Sequence, residues 1–296
     1  MESLHFNGPI WRPPFEATSQ LLQVTAGCTH AKCRFCSLYE GQPFRMSPLS
    51  EIEEDLQVIH KYQPRARRVF LTGANPFALR YDRLTDIGLL MRKDLHDGQP
   101  TIGCFARITD IIPKTIGELK DLRHLGYDYI SIGTESGDDE TLRYMNKGYE
   151  SEDIINQCRK LQEAGIHYNI TYLTGLAGEG KGIKNALQTA RIYSLIAPAS
   201  INVVSLTLFP GTGLYAGTTE GKYKEAGEHE RMDELTTLIE NLACHTQIIG
   251  NTVSNPVTFT GFLPTDKEYL THSLTEAKKE LSEKRLKAYR NNLMSL

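Results

Sequence analysis

Three cysteines within nine residues, Cys28, Cys33 and Cys36 in CTHAKCRFC, are the part of this chain best suited to chemistry. Thiolates this close repel one another and oxidise readily when bare, so a bound metal is the economical reason for grouping them. Three sulfurs can hold a four-iron cluster and leave one iron without a protein ligand, a corner that a substrate or cofactor can chelate. Zinc is the alternative. A Cys3His site would draw on His30, which lies inside the first cysteine loop and strains a tetrahedral closure, or on a distant histidine. The other cysteines, Cys104, Cys158 and Cys244, are scattered and read as small buried hydrophobes. His5, Trp11, Tyr39, His229, His245 and His272 show no spacing that would build a second metal site.

A fold must carry that loop. From residue 20 onward, β-rich runs at 20–27, 67–73, 100–107, 127–135, 167–175 and 200–209 alternate with helical patterns near 48–62, 81–96, 113–125, 151–164 and 181–197. Ser47-Pro48 with Glu51 supplies a cap and a first-turn proline, and Ser151 precedes two acids suited to a helix N-terminus. Strict alternation implies a parallel sheet with right-handed crossovers, either open or closed into a barrel. Reactive groups in both arrangements gather at the C-terminal ends of the strands, where the cysteine loop lies. Residues 210–230, rich in Gly, Thr and charge, read as a long connection of the kind that serves as a lid. A helix near 230–244, a strand or loop at 251–263 and a charged surface helix near 265–292 complete the chain. The predicted division is an extension over 1–19, a body over 20–245 and a C-terminal extension over 246–296.

Bulk properties narrow the function classes. Hydrophobic content of 40% and charged content of 23% are those of a soluble globular protein. A net charge of −3 leaves no electrostatic footprint for nucleic acid or an anionic membrane. No apolar run approaches the roughly 20 residues that span a bilayer. The opening MESLHFNGPIWRPPFE has neither the basic start nor the apolar stretch of a signal peptide, so the chain reads as cytoplasmic.

A three-cysteine loop after the first strand of a βα-repeat chain, with an aromatic residue just before the last cysteine, resembles the radical S-adenosylmethionine (SAM) superfamily. The family's usual spacing has three residues between the first two cysteines, whereas this chain has four: Thr29, His30, Ala31 and Lys32. Over roughly residues 20–245 the pattern looks like the branch shared by oxygen-independent coproporphyrinogen oxidases and the catalytic part of elongator protein 3. The resemblance implies a partial (β/α)6 TIM-like barrel with a helical C-terminal extension. It also implies a [4Fe–4S] cluster on Cys28, Cys33 and Cys36, with Phe35 near the SAM adenine. Gly73, Ala74 and Asn75 stand where the family's glycine-rich turn meets the SAM ammonium through its backbone. Glu135 matches the acid that binds the ribose hydroxyls. Lys147 matches the base that meets the SAM carboxylate, although arginine is commoner there and Arg143 is a substitute. Arg107 at the end of the third strand, Thr171 on the fifth, and the backbone at Leu208 and Phe209 after the sixth complete the implied contacts.

Without the resemblance, Gly-Ala-Asn-Pro is an ordinary turn, Arg107 a solvated strand-end residue, and Glu135 and Lys147 a solvated pair at a helix start. The stretch Gly178–Gly182 lacks the GxxxxGK[ST] order, because Lys181 is followed by Gly182, so an NTPase loop is not expected. The resemblance implies reductive cleavage of SAM to a 5′-deoxyadenosyl radical that abstracts hydrogen from a substrate, small or tetrapyrrole-like. The electron would come from a reductant such as flavodoxin or ferredoxin. The rival expectations are a radical SAM enzyme that uses SAM for methyl or sulfur transfer, a zinc-stabilised binding protein without catalysis, and a degenerate family member that carries haem or another tetrapyrrole.

Overall fold

A computed structural model describes residues 3–293. The fold is α/β with an eight-stranded, mostly parallel sheet. Its strands are β1 (Gln20–Gln23), β2 (Thr25–Ala26), β3 (Arg45–Met46), β4 (Arg68–Thr72), β5 (Thr101–Ala106), β6 (Tyr127–Glu135), β7 (His167–Thr174), β8 (Ser200–Ser205), β9 (Thr246–Gly250) and β10 (Phe259–Leu263). The helices are α1 (Leu49–Tyr62), α2 (Tyr81–Asp94), α3 (Ile108–Ile111), α4 (Ile116–Leu125), α5 (Asp139–Tyr144), α6 (Ser151–Glu163), α7 (Gly182–Ile196), α8 (Gly213–Thr219), α9 (Glu228–Asn241), α10 (Lys267–Glu280) and α11 (Glu283–Asn291). Two compact units divide the chain. The first takes the chain through Ala31, Leu38–Gly133 and Gln157–Tyr168; the second takes Lys32–Ser37, Thr134–Asn156 and the chain from Asn169 onward.

In the first unit the strand order is β1-β4-β5-β6, all parallel. Register aligns Leu22, Leu71, Cys104 and Ile130 on one face, and all four are fully buried. Each aliphatic side chain hidden there contributes about 1.5–3 kcal/mol. Cys104 behaves as the small hydrophobe expected of it, and burial pushes its thiol far up. The opposite face stacks Phe70 edge-on to Phe105 at 5.1 Å and Phe15 on Tyr129 at 5.8 Å. At the N-terminal ends of these strands Arg68 binds buried Glu16 (Nη2–Oε1 2.5 Å), pairs with Asp128 and donates to Thr101 Oγ1 at 3.0 Å. Glu16 thereby ties the N-terminal extension to the N-terminal end of β4.

The strand expected at 20–27 is two pieces. At Val24 the backbone changes partner: its N–H donates to Thr72 O (3.4 Å) while its carbonyl accepts from Ser47 N (3.0 Å). Beyond it, β2 pairs antiparallel with β3. The helix expected at 113–125 begins at Ile116 instead. Thr115 and Glu118 form a capping box there, with bonds of 3.2 and 2.7 Å, and Gly126 ends the helix at φ 111°.

The second unit runs β7-β8-β9 in parallel, with β10 antiparallel at the edge. Tyr172 of β7 points to the helices: its hydroxyl donates to Glu234 of α9 (2.6 Å) and accepts from Asn185 of α7 (3.1 Å). Alternation then places Asn169 and Thr171, aligned with Ser200 and Asn202 of β8, on the other face. The connection expected at 210–230 holds a short helix, α8, capped by Thr212 (Oγ1 accepting from Tyr215 N, 3.1 Å). Seven residues are too few to show a helical period. In the C-terminal extension, the strand or loop expected at 251–263 includes β10, and the single helix expected near 265–292 is two. The extension also adds β9, and the break between α10 and α11 falls where Ser282 caps the second. Among the described residues no helix is long and apolar enough to cross a membrane.

Candidate functional site

The first cysteine hangs from a turn that only glycine fits. Gly27 sits at φ 69°, and a Cβ there would lie 2.6 Å from Pro43 O. After Cys28 the chain reverses at Ala31, φ 47°, whose N–H stands 3.5 Å from Cys28 Sγ. The end of β4 approaches from the same unit. Gly73 takes φ 127°, and a Cβ there would lie 2.0 Å from Thr25 Oγ1, so both backbone and space call for glycine. Ala74 is half-buried beside it. Asn75, fully buried, turns its side chain to Thr29 and Asp110. Arg107 follows β5 and caps α3; its N–H donates to Asp110 Oδ2 (2.7 Å) and its guanidinium to Thr109 Oγ1 (2.9 Å).

In the second unit, the backbone of the rest of the cysteine loop is pinned by hydrogen bonds. Arg34 N donates to Met145 O (3.1 Å), Leu214 N donates to Arg34 O (2.7 Å), and Asn146 Nδ2 donates to Lys32 O (3.0 Å). Arg34 also lies over the Tyr144 ring at 5.0 Å. This brings Phe35 against Lys147, whose Nζ is 5.6 Å from the Phe35 ring and 5.6 Å from the Tyr149 ring. Glu135, at the end of β6 with φ 68°, faces the same ammonium across 3.6 Å. Both side chains are nearly excluded from water, so a solvated surface pair does not describe them. Burial pushes the Glu135 carboxyl above its ordinary range, and Lys147 pulls it partly back. Arg143 is exposed, its Nε donating to Asp139 O (3.1 Å); Lys147 is the buried base of the segment.

Thr171 lies on the β7 face turned away from the helices, and its carbonyl accepts from Thr134 Oγ1 (2.8 Å). Phe209 O accepts from Thr212 Oγ1 (2.9 Å), which fixes the turn after β8. Among the described residues no three His, Cys, Asp or Glu side chains are preassembled into a metal-holding group. The donor set nevertheless fits an iron–sulfur cluster with an amino-acid nucleoside. The first unit offers Cys28 with two buried hydroxyls that lack a protein partner, Thr25 Oγ1 and Thr72 Oγ1; the second offers Cys33 and Cys36, a buried ammonium beside a nearly buried carboxylate, and Asn169 Nδ2, likewise without a protein partner. Thr29, Asp110 and Tyr149 escaped the sequence reading. Asp110 had a detectable signal, an acid three residues after Arg107 at a helix start.

Residues 22–190 match the family model described as the Radical SAM superfamily. Among curated proteins, MJ0486 of Methanocaldococcus jannaschii is 29% identical over 119 residues, 40% of this chain and 36% of that protein. The heme chaperone HemW of Buchnera aphidicola is 22% identical over 197 residues, 62% of this chain and 50% of that protein. The chain thus spans half or less of these relatives' length. Among solved structures, coproporphyrinogen III oxidase HemN of Escherichia coli aligns with TM-score 0.55 at 17% identity, covering 75% of this chain and 51% of that one. Elp3 of Methanocaldococcus infernus aligns with TM-score 0.53 at 15% identity, covering 89% and 64%. These likenesses show a shared fold.

Proposed function

The chain belongs to the radical SAM superfamily, and from that premise we propose that it cleaves SAM reductively at a [4Fe–4S] cluster and directs the 5′-deoxyadenosyl radical to a hydrogen atom of its substrate. It is an enzyme of that superfamily, whose members bind the cluster and SAM. Cys28, Cys33 and Cys36 would hold the cluster. Gly73, Ala74 and Asn75 would present backbone to the SAM ammonium, Lys147 would neutralise the carboxylate, and Glu135 would accept the ribose hydroxyls. Phe35 and the backbone at Phe209 would flank adenine, with Arg107 and Thr171 bordering the ribose and methionine parts.

The observation that carries this reading is the Glu135–Lys147 pair beside Phe35, one residue from Cys36. Taking two charges out of water costs several kcal/mol per ion, a poor way to gain stability. A zwitterionic, hydroxyl-bearing ligand gives the pair a use. We place the chemistry in residues 20–245, flanked by the extensions 1–19 and 246–296. An oxygen-sensitive thiolate trio suits a reducing cytoplasm, with flavodoxin or ferredoxin as electron donor and a small or tetrapyrrole-like molecule as substrate.

The test is anaerobic reconstitution with iron and sulfide, addition of dithionite and SAM, and chromatography for 5′-deoxyadenosine. The product should form with the native chain and vanish in Cys28→Ala, Cys33→Ala and Cys36→Ala; full turnover in any one of these overturns the scheme. Metal analysis of the same samples separates iron from zinc. The name of the HemW relative favours a second reading, a tetrapyrrole carrier, and haem titration followed in the visible spectrum tests it.

A further inference from the structure

We propose that the Asn75 side chain is a clamp that sets the position of Cys28, and that it lets this chain carry four residues, rather than three, between its first two cysteines. The inference rests on the iron–sulfur reading above. Asn75 Oδ1 accepts from Thr29 N (3.2 Å), and Nδ2 donates to both Thr29 Oγ1 (2.6 Å) and Asp110 Oδ2 (3.0 Å). The partners fix the amide's orientation, because the Thr29 N–H needs an acceptor and the Asp110 carboxylate needs a donor. Both amide protons are used, and the side chain is fully buried. Thr29, the residue after Cys28, is thereby gripped at two atoms.

The platform behind the clamp is stiff. Pro76 follows Asn75 and opens a short turn at Pro76–Ala78, which limits the backbone conformations open to Asn75. Lys114 Nζ, buried, ties that turn to α3 by donating to Phe77 O (2.7 Å) and Asp110 O (2.9 Å). Asp110 is also held by the Arg107 N–H (2.7 Å). With Cys28 and Thr29 anchored to this platform, the additional loop residue has to be absorbed further along. It is absorbed at Ala31, where a non-glycine residue takes φ 47° and aims its N–H at Cys28 Sγ. Such a backbone crowds the Cβ against the following carbonyl and persists only where its surroundings impose it. Asn75 is thus a positioning residue that acts on a sulfur ligand through Thr29.

The experiment uses the full chain, reconstituted anaerobically, as native protein, Asn75→Ala, Thr29→Val and Thr29→Ser. Thr29→Val removes the hydroxyl acceptor at an exposed residue and leaves the backbone bond, so the metal-free chain should still fold cooperatively, melting slightly below the native chain for the one amide proton left unpaired. Loss of an outer-shell partner typically costs 10-fold or more in metal retention. Iron release to a chelator should therefore be roughly 10-fold faster in Thr29→Val and Asn75→Ala, with an altered electron paramagnetic resonance spectrum of the reduced cluster. Thr29→Ser should restore both. Native release rates and spectra in Thr29→Val and Asn75→Ala would overturn the clamp while leaving the cluster assignment standing. A native chain that takes up no iron–sulfur cluster would overturn the assignment and the clamp together. Where Asn75→Ala fails to fold, the Thr29→Val and Thr29→Ser pair decides.

Discussion

Lys147 Nζ stands 3.6 Å from Glu135 Oε1, with the two side chains 4% and 14% exposed. Removing one member of a buried pair strands the other charge, at a cost of about 3–5 kcal/mol. Lys147→Met should therefore lower the unfolding free energy by that order in urea titrations. In equilibrium dialysis of the reconstituted protein it should also weaken SAM binding at least roughly tenfold, the scale of one lost charge-assisted contact. Lys147→Arg keeps the charge and should recover part of both. Native SAM affinity in Lys147→Met would remove the pair from the binding site.

The same pair predicts a pH dependence. Burial raises the Glu135 carboxyl in the folded chain, so the folded form holds its proton to higher pH than the unfolded form. The burial cost is absent below the ordinary glutamate range, where both forms are protonated. Stability then falls as pH rises through the elevated folded value. Glu135→Gln has nothing to titrate and should gain on the native chain across that window. Asp110 and Glu234, also raised by burial, are present in both proteins and cancel. A flat difference in unfolding free energy between the ordinary glutamate range and neutrality would contradict the assignment.

At the C-terminus, α11 should prove necessary to the second unit. Arg290 pairs with Glu228 (Nη2–Oε2 2.8 Å) and reaches Ser205 Oγ (2.9 Å) and Leu206 O (3.0 Å) at the end of β8. Arg290→Met leaves Glu228 buried without its guanidinium and should cost about 3–5 kcal/mol. Arg290→Met with Glu228→Gln removes both charges and should recover part of that loss, which differential scanning calorimetry would resolve.

Much of this architecture was legible because its signals are local. Strand–helix alternation and the cysteine trio are each carried by short runs of sequence. Glu135 and Lys147 stood out only through family resemblance, and their pairing came with the structure, since no periodicity links a strand end to a turn twelve positions on. What escaped depends on partners remote in sequence. Arg290 reads as one more charge on a polar helix until β8 and Glu228 are placed beside it, and Glu16 reads as solvent-facing until Arg68 arrives. Asn75 read as a turn residue because Gly-Ala-Asn-Pro is turn chemistry in any setting. Its bonds to Thr29 and Asp110 span 46 and 35 positions.

Two glycines separate conformational strain from steric exclusion. Gly73 has φ 127° and Thr25 Oγ1 and Thr25 O at 2.0 and 2.6 Å from a would-be Cβ, whereas Gly41 has φ 71° and open space around it. Gly41→Ala should cost about 1–2 kcal/mol, the price of a left-handed backbone alone. Gly73→Ala must also displace β2 backbone next to the cysteine loop, so its loss should be clearly larger and accompanied by reduced iron uptake. Equal melting temperatures for the two variants would mean that the turn after β4 yields more easily than this geometry implies.

Metal removal should sort the cysteines into two classes. Cys104 and Cys158 are buried, and burial pushes the Cys158 thiol up to about 12, so neither offers thiolate to an alkylating reagent in the folded chain. Cys36 is exposed, and Cys28 and Cys33 are half-buried. In the chelator-stripped, folded protein, iodoacetamide followed by peptide mass spectrometry should label Cys36 first, then Cys28 and Cys33, and spare Cys104 and Cys158 until denaturant is added. Reconstitution with iron and sulfide before labelling should protect all three loop cysteines together, because a cluster engages its thiolates as a set. Protection of only one or two would break the proposed ligand trio at the unprotected position.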